Sequence, residues 1–414
     1  MSLPGPRLAA TVLAFWMIAI AVVTAAADTA PPSTWIRLKP LPHQGRTAIF
    51  ALAVDPTNRM TVLAGTSDGS LLRSTNGGGA WTEVHSDSSA VTTISFSPLT
   101  AKLVLAGMRG TGAVLSRDGG ATWSGTAGLE GRNVHVFAFA TALVAAGTDR
   151  GVFVSSDGLS WNQSGLSDRG VNALAAEAVH PPIRLVAGTD IPSSGGSLPL
   201  YQSADGGATW TQITPPISGT IAVRLAAGPL PPTGNIRPLL LGTNSGLFAS
   251  SDNGTTFNPL SGGGLLPTTD YTQAFFVTDH FDHFYVASDG GGSGSGGLWR
   301  TRDGGQSFTS LESPEPSITA LAVSNDESPT LYVATFQPST HVPSLWVFFD
   351  TGGTPQGPGL EQPTTSSAVR TSLQDASLLS EILSSPQLPY VALGVLAVVV
   401  ILTAIASHLR ARTR

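Results

Sequence analysis

A short motif that recurs six times constrains the fold of this chain more than any other feature. In its fullest form the motif reads Ser, any residue, Asp, Gly, Gly, two further residues and Trp, as at residues 116–123. Successive Asp or Asn positions lie 42, 39, 48, 47 and 51 residues apart, and one propeller blade of four strands needs about 40–50 residues. The residues of the six copies are Ser74, Asn76, Gly78 and Trp81; Ser116, Asp118, Gly120 and Trp123; Ser155, Asp157, Gly158 and Trp161; Ser203, Asp205, Gly207 and Trp210; Ser250, Asp252, Gly254 and Phe257; and Thr301, Asp303, Gly305 and Phe308.

The residue types of the motif predict a tight turn between two strands. An Asp or Asn side chain accepts hydrogen bonds from the N–H groups of such a turn, and Ser or Thr does so more weakly. Glycine supplies the backbone conformation with positive φ, and we expect the aromatic residue to start the next strand with its ring buried. The departures fit this role, because Asn76 keeps an acceptor and Phe257 and Phe308 keep a ring. We therefore interpret the motif as structural.

Each motif lies inside a longer unit of four short strands. Apolar strands of this length, separated by turn residues, indicate an all-β array. In the first unit the strands are expected at residues 48–54, 60–65, 70–74 and 81–84.

A seventh unit lacks its fourth strand. It has candidate second and third strands at residues 331–335 and 345–349, but no aromatic strand follows Asp350. Residues 34–38 resemble the missing strand and lie at the other end of the chain. We therefore predict a single β-propeller of about seven four-stranded blades at residues 34–355. In it the N-terminal strand closes the last blade and removes its open edges.

The motif resembles the Asp-box, or BNR, repeat, over roughly residues 34–350. Families with this repeat include sialidases, xyloglucanases, sortilin-type receptors and the photosystem II assembly factors of plants and cyanobacteria. The sequence pattern of the blades, with first strands such as Ala-Leu-Ala-Val-Asp-Pro, is most similar to that of the last two groups. The resemblance implies a propeller, but one fold serves many functions.

Two apolar segments bracket the predicted propeller. Within residues 1–27, an uncharged stretch follows Arg7 and ends in three alanines. This is typical of a secretory signal, and the stretch is also long enough for an uncleaved anchor. Residues 388–409 contain no Asp, Glu, Lys or Arg and precede three arginines in the tail at 410–414, which predicts a transmembrane helix with a cytoplasmic C-terminus. Residues 356–387 predict a linker. We therefore expect a membrane protein with its propeller outside the cytoplasm.

Composition excludes several classes of function. The chain has no cysteine, which excludes disulfides, thiolate metal sites and cysteine nucleophiles. Its net charge of −6 argues against nucleic-acid binding. His280 and His283, flanked by Asp279 and Asp282, suggest a metal site, but no third distant ligand is evident. We therefore expect a solvated turn there, and predict neither a metal nor a cofactor.

An enzyme is the competing interpretation. The resemblance to sialidases implies an arginine cluster, a Tyr–Glu pair and an acid, and none of the five tyrosines forms such a pair with a nearby Glu. A xyloglucanase-type enzyme needs two carboxylates across a cleft, which lies between two propellers in that family. We assign no catalytic residue. A cell-surface glycoside hydrolase or glycan-binding protein stays the alternative, to be recognised by converging carboxylates or a Tyr–Glu pair with perturbed pKa values.

Four arginines are candidates for a partner-binding site. Arg109 and Arg150 fall between second and third strands, whereas Arg132 and Arg169 fall in links between blades. In a propeller these connections share one face, and arginine binds carboxylates in bidentate fashion. We predict that this arginine arc docks an acidic or C-terminal carboxylate of a protein or peptide partner. The alternative is a solvated rim neutralised by nearby acids. These acids are Glu130, Asp149, Asp168 and Asp190.

Overall fold

The computed structural model describes residues 34–42, 47–178, 182–191, 197–229, 237–252, 254–266, 268–277, 280–292, 296–337, 339–340 and 342–350. The predicted signal segment, linker, transmembrane segment and basic tail lie outside these residues. Within them, no helix is long and apolar enough to cross a membrane.

Twenty-eight strands of the described residues form seven antiparallel sheets of four strands each. Blade 1 comprises β2 (Ile49–Asp55), β3 (Asn58–Thr66), β4 (Ser70–Ser74) and β5 (Thr82–Ser86). Blade 2 comprises β6 (Val91–Phe96), β7 (Val104–Met108), β8 (Gly112–Ser116) and β9 (Ser124–Gly125). Blade 3 comprises β10 (Val134–Phe139), β11 (Val144–Thr148), β12 (Gly151–Ser155) and β13 (Asn162–Gln163). Blade 4 comprises β14 (Val171–Ala178), β15 (Arg184–Thr189), β16 (Leu200–Ser203) and β17 (Thr211–Ile213).

The remaining three blades repeat this order. Blade 5 comprises β18 (Ala222–Ala227), β19 (Leu239–Thr243), β20 (Gly246–Ser250) and β21 (Asn258–Pro259). Blade 6 comprises β22 (Gln273–Val277), β23 (His280–Ser288), a 3-10 turn (Gly290–Gly292), β24 (Gly297–Thr301) and β25 (Thr309–Ser310). Blade 7 comprises β26 (Ile318–Val323), β27 (Thr330–Gln337), β28 (Val342–Phe349) and the N-terminal β1 (Trp35–Arg37). The first strands of consecutive blades contact each other, and the contact between β26 and β2 closes the ring.

The N-terminal strand closes the ring as predicted. β1 pairs antiparallel with β28, with Trp35 opposite Phe348. The ring centroids of these two residues lie 4.8 Å apart. The indole of Trp35 also donates a hydrogen bond of 2.8 Å to the carbonyl of Leu311, which follows the outer strand of blade 6. Closure therefore joins the two ends of the chain and ties blade 7 to blade 6.

The hydrophobic core lies between adjacent blades rather than in one central mass. One cluster, for example, joins Ile49 and Leu72 of blade 1 to Tyr332 and Val347 of blade 7. Small residues let the sheets approach: a Cβ atom on Gly65 would lie 2.4 Å from Cγ1 of Val91 in the next blade. Close packing of this kind makes each blade depend on its neighbours.

The connections fall on two faces because the strands of each blade alternate in direction. The turn face carries the connections between first and second strands and the six motif turns between third and fourth strands. The loop face carries the connections between second and third strands and the links from one blade to the next. These two faces position all the candidate sites.

The predicted strands agree with the observed ones to within a few residues at their ends, with one systematic difference. The aromatic residue of the motif lies one residue before the fourth strand, not at its start. Trp123 and Trp161 show the reason, because each indole donates a hydrogen bond to a glycine carbonyl of its own turn. The ring therefore belongs to the turn, and it is buried in Trp161, Phe257 and Phe308.

Candidate functional site

The Ser or Thr hydroxyl and the Asp or Asn side chain of each motif turn bind groups of the same turn. The hydroxyl of Ser116 accepts a hydrogen bond of 2.8 Å from the N–H of Gly120 and donates one to Asp118. Asp118 accepts further bonds from the N–H groups of Ala121 and Thr122 and from the Thr122 hydroxyl. The bond from the glycine N–H to the Ser or Thr hydroxyl recurs in the other five copies. Gly120 has a φ of 81°, which a side chain would disfavour.

These hydrogen bonds also fix the charge of the turn carboxylates. Partial burial would raise the pKa of Asp118, but the bonds from Thr122, Ser116 and Ala121 outweigh it and lower the pKa to about 2. Asp118 is therefore an ionised acceptor with no proton to give at neutral pH. The structural interpretation of the motif fits this geometry.

Arginines of the turn face join neighbouring blades. Nε of Arg73 in blade 1 donates a bond of 2.9 Å to the carbonyl of Gly119, in the motif turn of blade 2. Arg117 of blade 2 likewise donates a bond of 2.9 Å to the carbonyl of Asp157 in blade 3. Each guanidinium thus binds the turn of the following blade.

A buried ionic network links blades 6 and 7 on the same face. Asp350 is 1% exposed; its carboxylate lies 2.5 Å from Nη1 of Arg300 and 3.4 Å from Nη2 of Arg302, and it accepts a bond from the Tyr285 hydroxyl. Burial would raise the pKa of Asp350, but Arg300 foremost holds it below its usual range. Burial and the adjacent carboxylate raise the pKa of Tyr285 well above its usual value. This Tyr–Asp pair is enclosed and bound to arginines, so it joins blades and presents no accessible nucleophile.

Two carboxyl groups meet on the loop face of blade 6. Burial and then a hydrogen bond with Asp270 raise the pKa of Asp289 to about 6. The pKa of Asp270 is lowered, because its bonds with Asp289, Ser288 and Thr269 outweigh its burial. The two carboxyls therefore lie close enough for each to shift the pKa of the other. Glycosidases hold their carboxyls about 5–9.5 Å apart to admit a sugar or a water, so this pair does not fit that chemistry.

The histidines considered as metal ligands lie in a different setting from the one predicted. His280 begins β23 rather than a turn, and His283 is buried. Burial and the nearby Arg302 lower the pKa of His283 to about 3, so it is neutral at neutral pH. No group of three metal-ligating side chains occurs in the part of the chain that the structure describes. The predicted connection between strands falls directly before His280, and Asp279 lies outside the described residues; the expectation of a solvated turn was wrong for His280 and His283, because both belong to β23 and His283 is buried.

The structure places all four predicted arginines in consecutive connections of the loop face. The carbonyl of Arg132 accepts bonds from the N–H groups of Gly110 and Gly112, which holds the loop of Arg109 against the next link. Asn133 donates its N–H to Asp149 at 3.0 Å, which joins that link to the loop of Arg150. Arg169 lies in the following link, between blades 3 and 4. The arginine arc (Arg109, Arg132, Arg150 and Arg169) therefore spans blades 2 to 4.

The guanidinium groups of the arc make few direct ion pairs with the acids near them. Within the described residues, the one ion pair of the four is that of Arg169 with Asp168, at 3.9 Å. The other nearby acids bind elsewhere: Glu130 accepts from the N–H of Gly128, Asp149 from Asn133 and Asp190 from the Asn172 amide.

Two of the four arginines are positioned by aromatic rings. Cζ of Arg132 lies 5.8 Å from the ring centroid of Phe153, and Cζ of Arg169 lies 5.3 Å from that of Tyr201. Such stacking holds a guanidinium plane in place and leaves its edge for hydrogen bonds. Arg109 and Arg150 are exposed.

Sequence reasoning missed a histidine beside the arc. His135 is the second residue of β10 and lies within electrostatic range of Asp149, Asp190 and Arg109. Burial lowers its pKa, the two carboxylates oppose this, and Arg109 lowers it further. The only signal for it in the sequence was its position three residues after Arg132.

The fold is similar to solved propellers. The structure of YCF48 from Cyanidioschyzon merolae superposes with a TM-score of 0.50 and 16% identity, over 76% of this chain and 98% of that chain. A structure of YCF48 bound to D1 peptide superposes with a TM-score of 0.52 and 16% identity, over 78% of this chain and 97% of that one. The WD40 repeats of RRP9 superpose with a TM-score of 0.57 and 14% identity, over 76% and 97% of the two chains.

These identities are low enough that the likeness shows the fold alone. No family model matches the sequence, and no curated protein matches it. The predicted all-β architecture is confirmed: the chain is a seven-bladed β-propeller of four-stranded blades that shares its fold with YCF48.

Proposed function

We propose that this protein is a non-catalytic binding propeller that holds a peptide or protein partner on the arginine arc of its loop face. The observation that supports the proposal is that the arginines of the arc make one ion pair among the described residues. Four arginines occupy consecutive connections, and three of the four acids near them are occupied by backbone N–H groups or an amide. Guanidinium groups with free edges bind carboxylates strongly.

The chemistry of the arc favours an acidic segment or a C-terminal carboxylate. Arg132 and Arg169 offer planar groups fixed on rings, while Arg109 and Arg150 are exposed at positions where a partner can approach. A similarly folded protein, YCF48, has been solved bound to D1 peptide, so a ring of this kind accommodates a peptide.

Binding is tested with the full-length chain in nanodiscs and a fluorescent octapeptide of glutamates with a free C-terminus. We expect the anisotropy titration to saturate, and the affinity to fall steeply with added salt because the contacts are ionic. A glutamine octapeptide with an amidated C-terminus is the matched control and should bind at least about tenfold more weakly. Equal binding of the two peptides would exclude the arc as a carboxylate site.

The proposal includes the Asp-box character of the turns and a membrane anchor. The shared hydrogen bonds of the six turns support the first. The uncharged residues 388–409 and the arginines after them support the second, with the propeller outside the cytoplasm. Because the chain has no native cysteine, a Thr413→Cys variant tests it. An impermeant maleimide should leave intact cells unlabelled and label them after permeabilisation.

A further inference from the structure

A channel along the ring axis contains two overlapping cavities of about 410 and 440 Å³. Both are walled by the first strands of the blades, and Phe96, Phe275 and Phe276 line both. Small-molecule sites in proteins are typically concave, mostly apolar and roughly 300–1,000 Å³ in volume. The channel therefore has the size of such a site, and its wall combines these rings with polar side chains such as Thr93, Gln273 and Asn325.

One cation lies on the wall of both cavities. Arg224 of β18 lines both cavities, and its Cζ lies 4.9 Å from the ring centroid of Phe275 in the next blade. Its Nε is buried without a hydrogen-bond partner in the described structure, and burial lowers its pKa to about 10. It remains protonated at neutral pH.

No acidic side chain of the described residues lines either cavity. Arg237, the other arginine of the second cavity, differs from Arg224 because it donates to the carbonyls of Ala176 and Gly228. Arg224 as a whole is half-buried, so its guanidinium reaches the channel while its Nε stays enclosed without an acceptor. The charge of Arg224 is thus the unsatisfied element of the channel.

The fold does not require an arginine at this position. In each blade, the same place is the residue of the first strand that pairs with a Gly or Ala near the end of the second strand, and Arg224 pairs with Gly242. In every blade except blade 6 this residue directly follows a register shift. The six equivalent residues are all uncharged: Ala51, Thr93, Val136, Ala173, Gln273 and Ala320. A departure from the repeat that introduces an uncompensated charge indicates a role other than folding.

We propose that the axial channel binds a small organic carboxylate with an aromatic or branched apolar body, and that Arg224 binds the carboxylate. The phenylalanines of the wall enclose the apolar body, and the carboxylate supplies the counter-ion and the hydrogen-bond acceptor that the guanidinium lacks. The site is separate from the arginine arc, because none of the four arc residues lines the channel. It goes beyond the proposed partner binding and does not depend on it.

The test is a calorimetric titration of the full-length chain in nanodiscs with 1-naphthoate, with empty nanodiscs as the blank. We expect saturable binding, at least about tenfold tighter than that of the neutral isostere 1-naphthamide, because a charged hydrogen-bonded pair is lost in the amide. Equal affinity of the two probes would overturn the proposal without any variant being made. Acetyl-Leu-Phe and its amide form the second arm: tighter binding of this free acid identifies the end of a peptide as the source of the carboxylate.

Arg224→Met keeps the volume of the side chain and removes its charge. It should weaken 1-naphthoate binding at least about tenfold and leave the melting temperature unchanged or raised, because an uncompensated charge is gone. Unchanged naphthoate affinity, or a strongly lowered melting temperature, would assign Arg224 a purely structural role. Arg117→Met, at an exposed position of the turn face, is the matched control and should not alter naphthoate binding. Charge reversal of the arc should not alter it either, which separates this proposal from the first.

Discussion

The arginines of the two faces differ in what their guanidinium groups bind. On the turn face, Arg73 and Arg117 each bind a carbonyl in the motif turn of the next blade. On the loop face, Arg109 and Arg150 are exposed and have no ion pair within the described residues. The same residue type therefore serves the fold on one face and is left available on the other.

In this ring, structural and functional positions therefore differ in whether the polar side chain has a partner within the fold, and not in residue type. The motif turns use every carboxylate as an acceptor for the turn itself, as Asp118 does. Side chains that depart from the repeat, such as Arg224 in the channel, have no such partner. Groups kept unpaired within a packed fold are candidates for ligand contact.

Removal of the closing strand should have the largest effect on stability. Deletion of residues 34–38 leaves β28 with an open edge and removes Trp35 from its contact with Phe348. Trp35 is only partly buried, but the deletion also removes the pairing of β1, so chemical denaturation should show a loss of about 3–5 kcal/mol, the range for a large core aromatic. Trp35→Phe, which keeps the strand and a ring, should cost much less. Equal stability of the deleted and intact chains would mean that the ring does not need β1.

Loss of the buried carboxylate of Asp350 should have the next largest effect on stability. Asp350→Asn leaves Arg300 and Arg302 without their counter-charge, and the loss of one partner of a buried pair costs about 3–5 kcal/mol. Asp326→Asn is the control, because Asp326 and Arg59 form an exposed pair at 3.9 Å worth about 0–1 kcal/mol. Urea denaturation of both variants measures the contrast, and similar losses would show that burial is not the deciding factor.

A turn carboxylate should contribute less, and only while it is ionised. Asp118→Ala removes hydrogen bonds worth on the order of 1 kcal/mol in this exposed setting. Its folded pKa of about 2 lies below the ordinary value of 3.8. The stabilisation is therefore complete above pH 4 and is lost as the pH falls from about 4 towards 2.

Asn76 provides the matched control for this pH dependence. It occupies the same place in the first turn and accepts the N–H of Ala80, but an amide does not titrate. Melting temperatures are measured between pH 2 and 7. The difference in melting temperature between wild type and Asp118→Ala should shrink towards pH 2, whereas the difference between wild type and Asn76→Ala should stay the same. A difference for Asp118→Ala that stays constant down to pH 2 would contradict the role of the charge.

The smallest effect on stability is expected from the arc. Arg109→Glu and Arg150→Glu change exposed side chains that bind no other side chain among the described residues, and surface substitutions of this kind usually alter stability by about 0.5 kcal/mol or less. Each should nevertheless weaken capture of the acidic octapeptide about tenfold. A variant that melts like wild type and binds like wild type would move the site elsewhere on the loop face.

The fold could be predicted because the spacing and the residue types of the repeat specify the length of a blade and the position of its turns. The spacing from Asp118 to Asp157 sets the blade, and the missing strand after Asp350 pointed to Trp35 at the other end of the chain, as the pairing of β1 with β28 confirms. The positions of the arginines followed from strand order alone. Their partners did not: that Asp149 would bind the backbone of Asn133 depends on loop conformation, which residue types do not specify.

The channel residue was beyond sequence reasoning for a related reason. Arg224 lies within an otherwise ordinary first strand, and the sequence does not show whether its side chain meets a carboxylate, water or a ring. The structure places it over Phe275 of the next blade, a contact between residues 51 positions apart. Contacts between blades depend on the register of two sheets rather than on either strand alone.

One comparison tests the division between the two faces most directly. Arg73→Gln with Arg117→Gln removes charge from the turn face, and Arg109→Gln with Arg150→Gln removes the same charge from the loop face. Each full-length variant is measured for its melting temperature and for its affinity for the acidic octapeptide. We expect the first pair to lower the melting temperature and keep the affinity, and the second pair to keep the melting temperature and lose affinity about tenfold or more. Equal loss of affinity in both pairs, or loss of stability in the second pair alone, would contradict it.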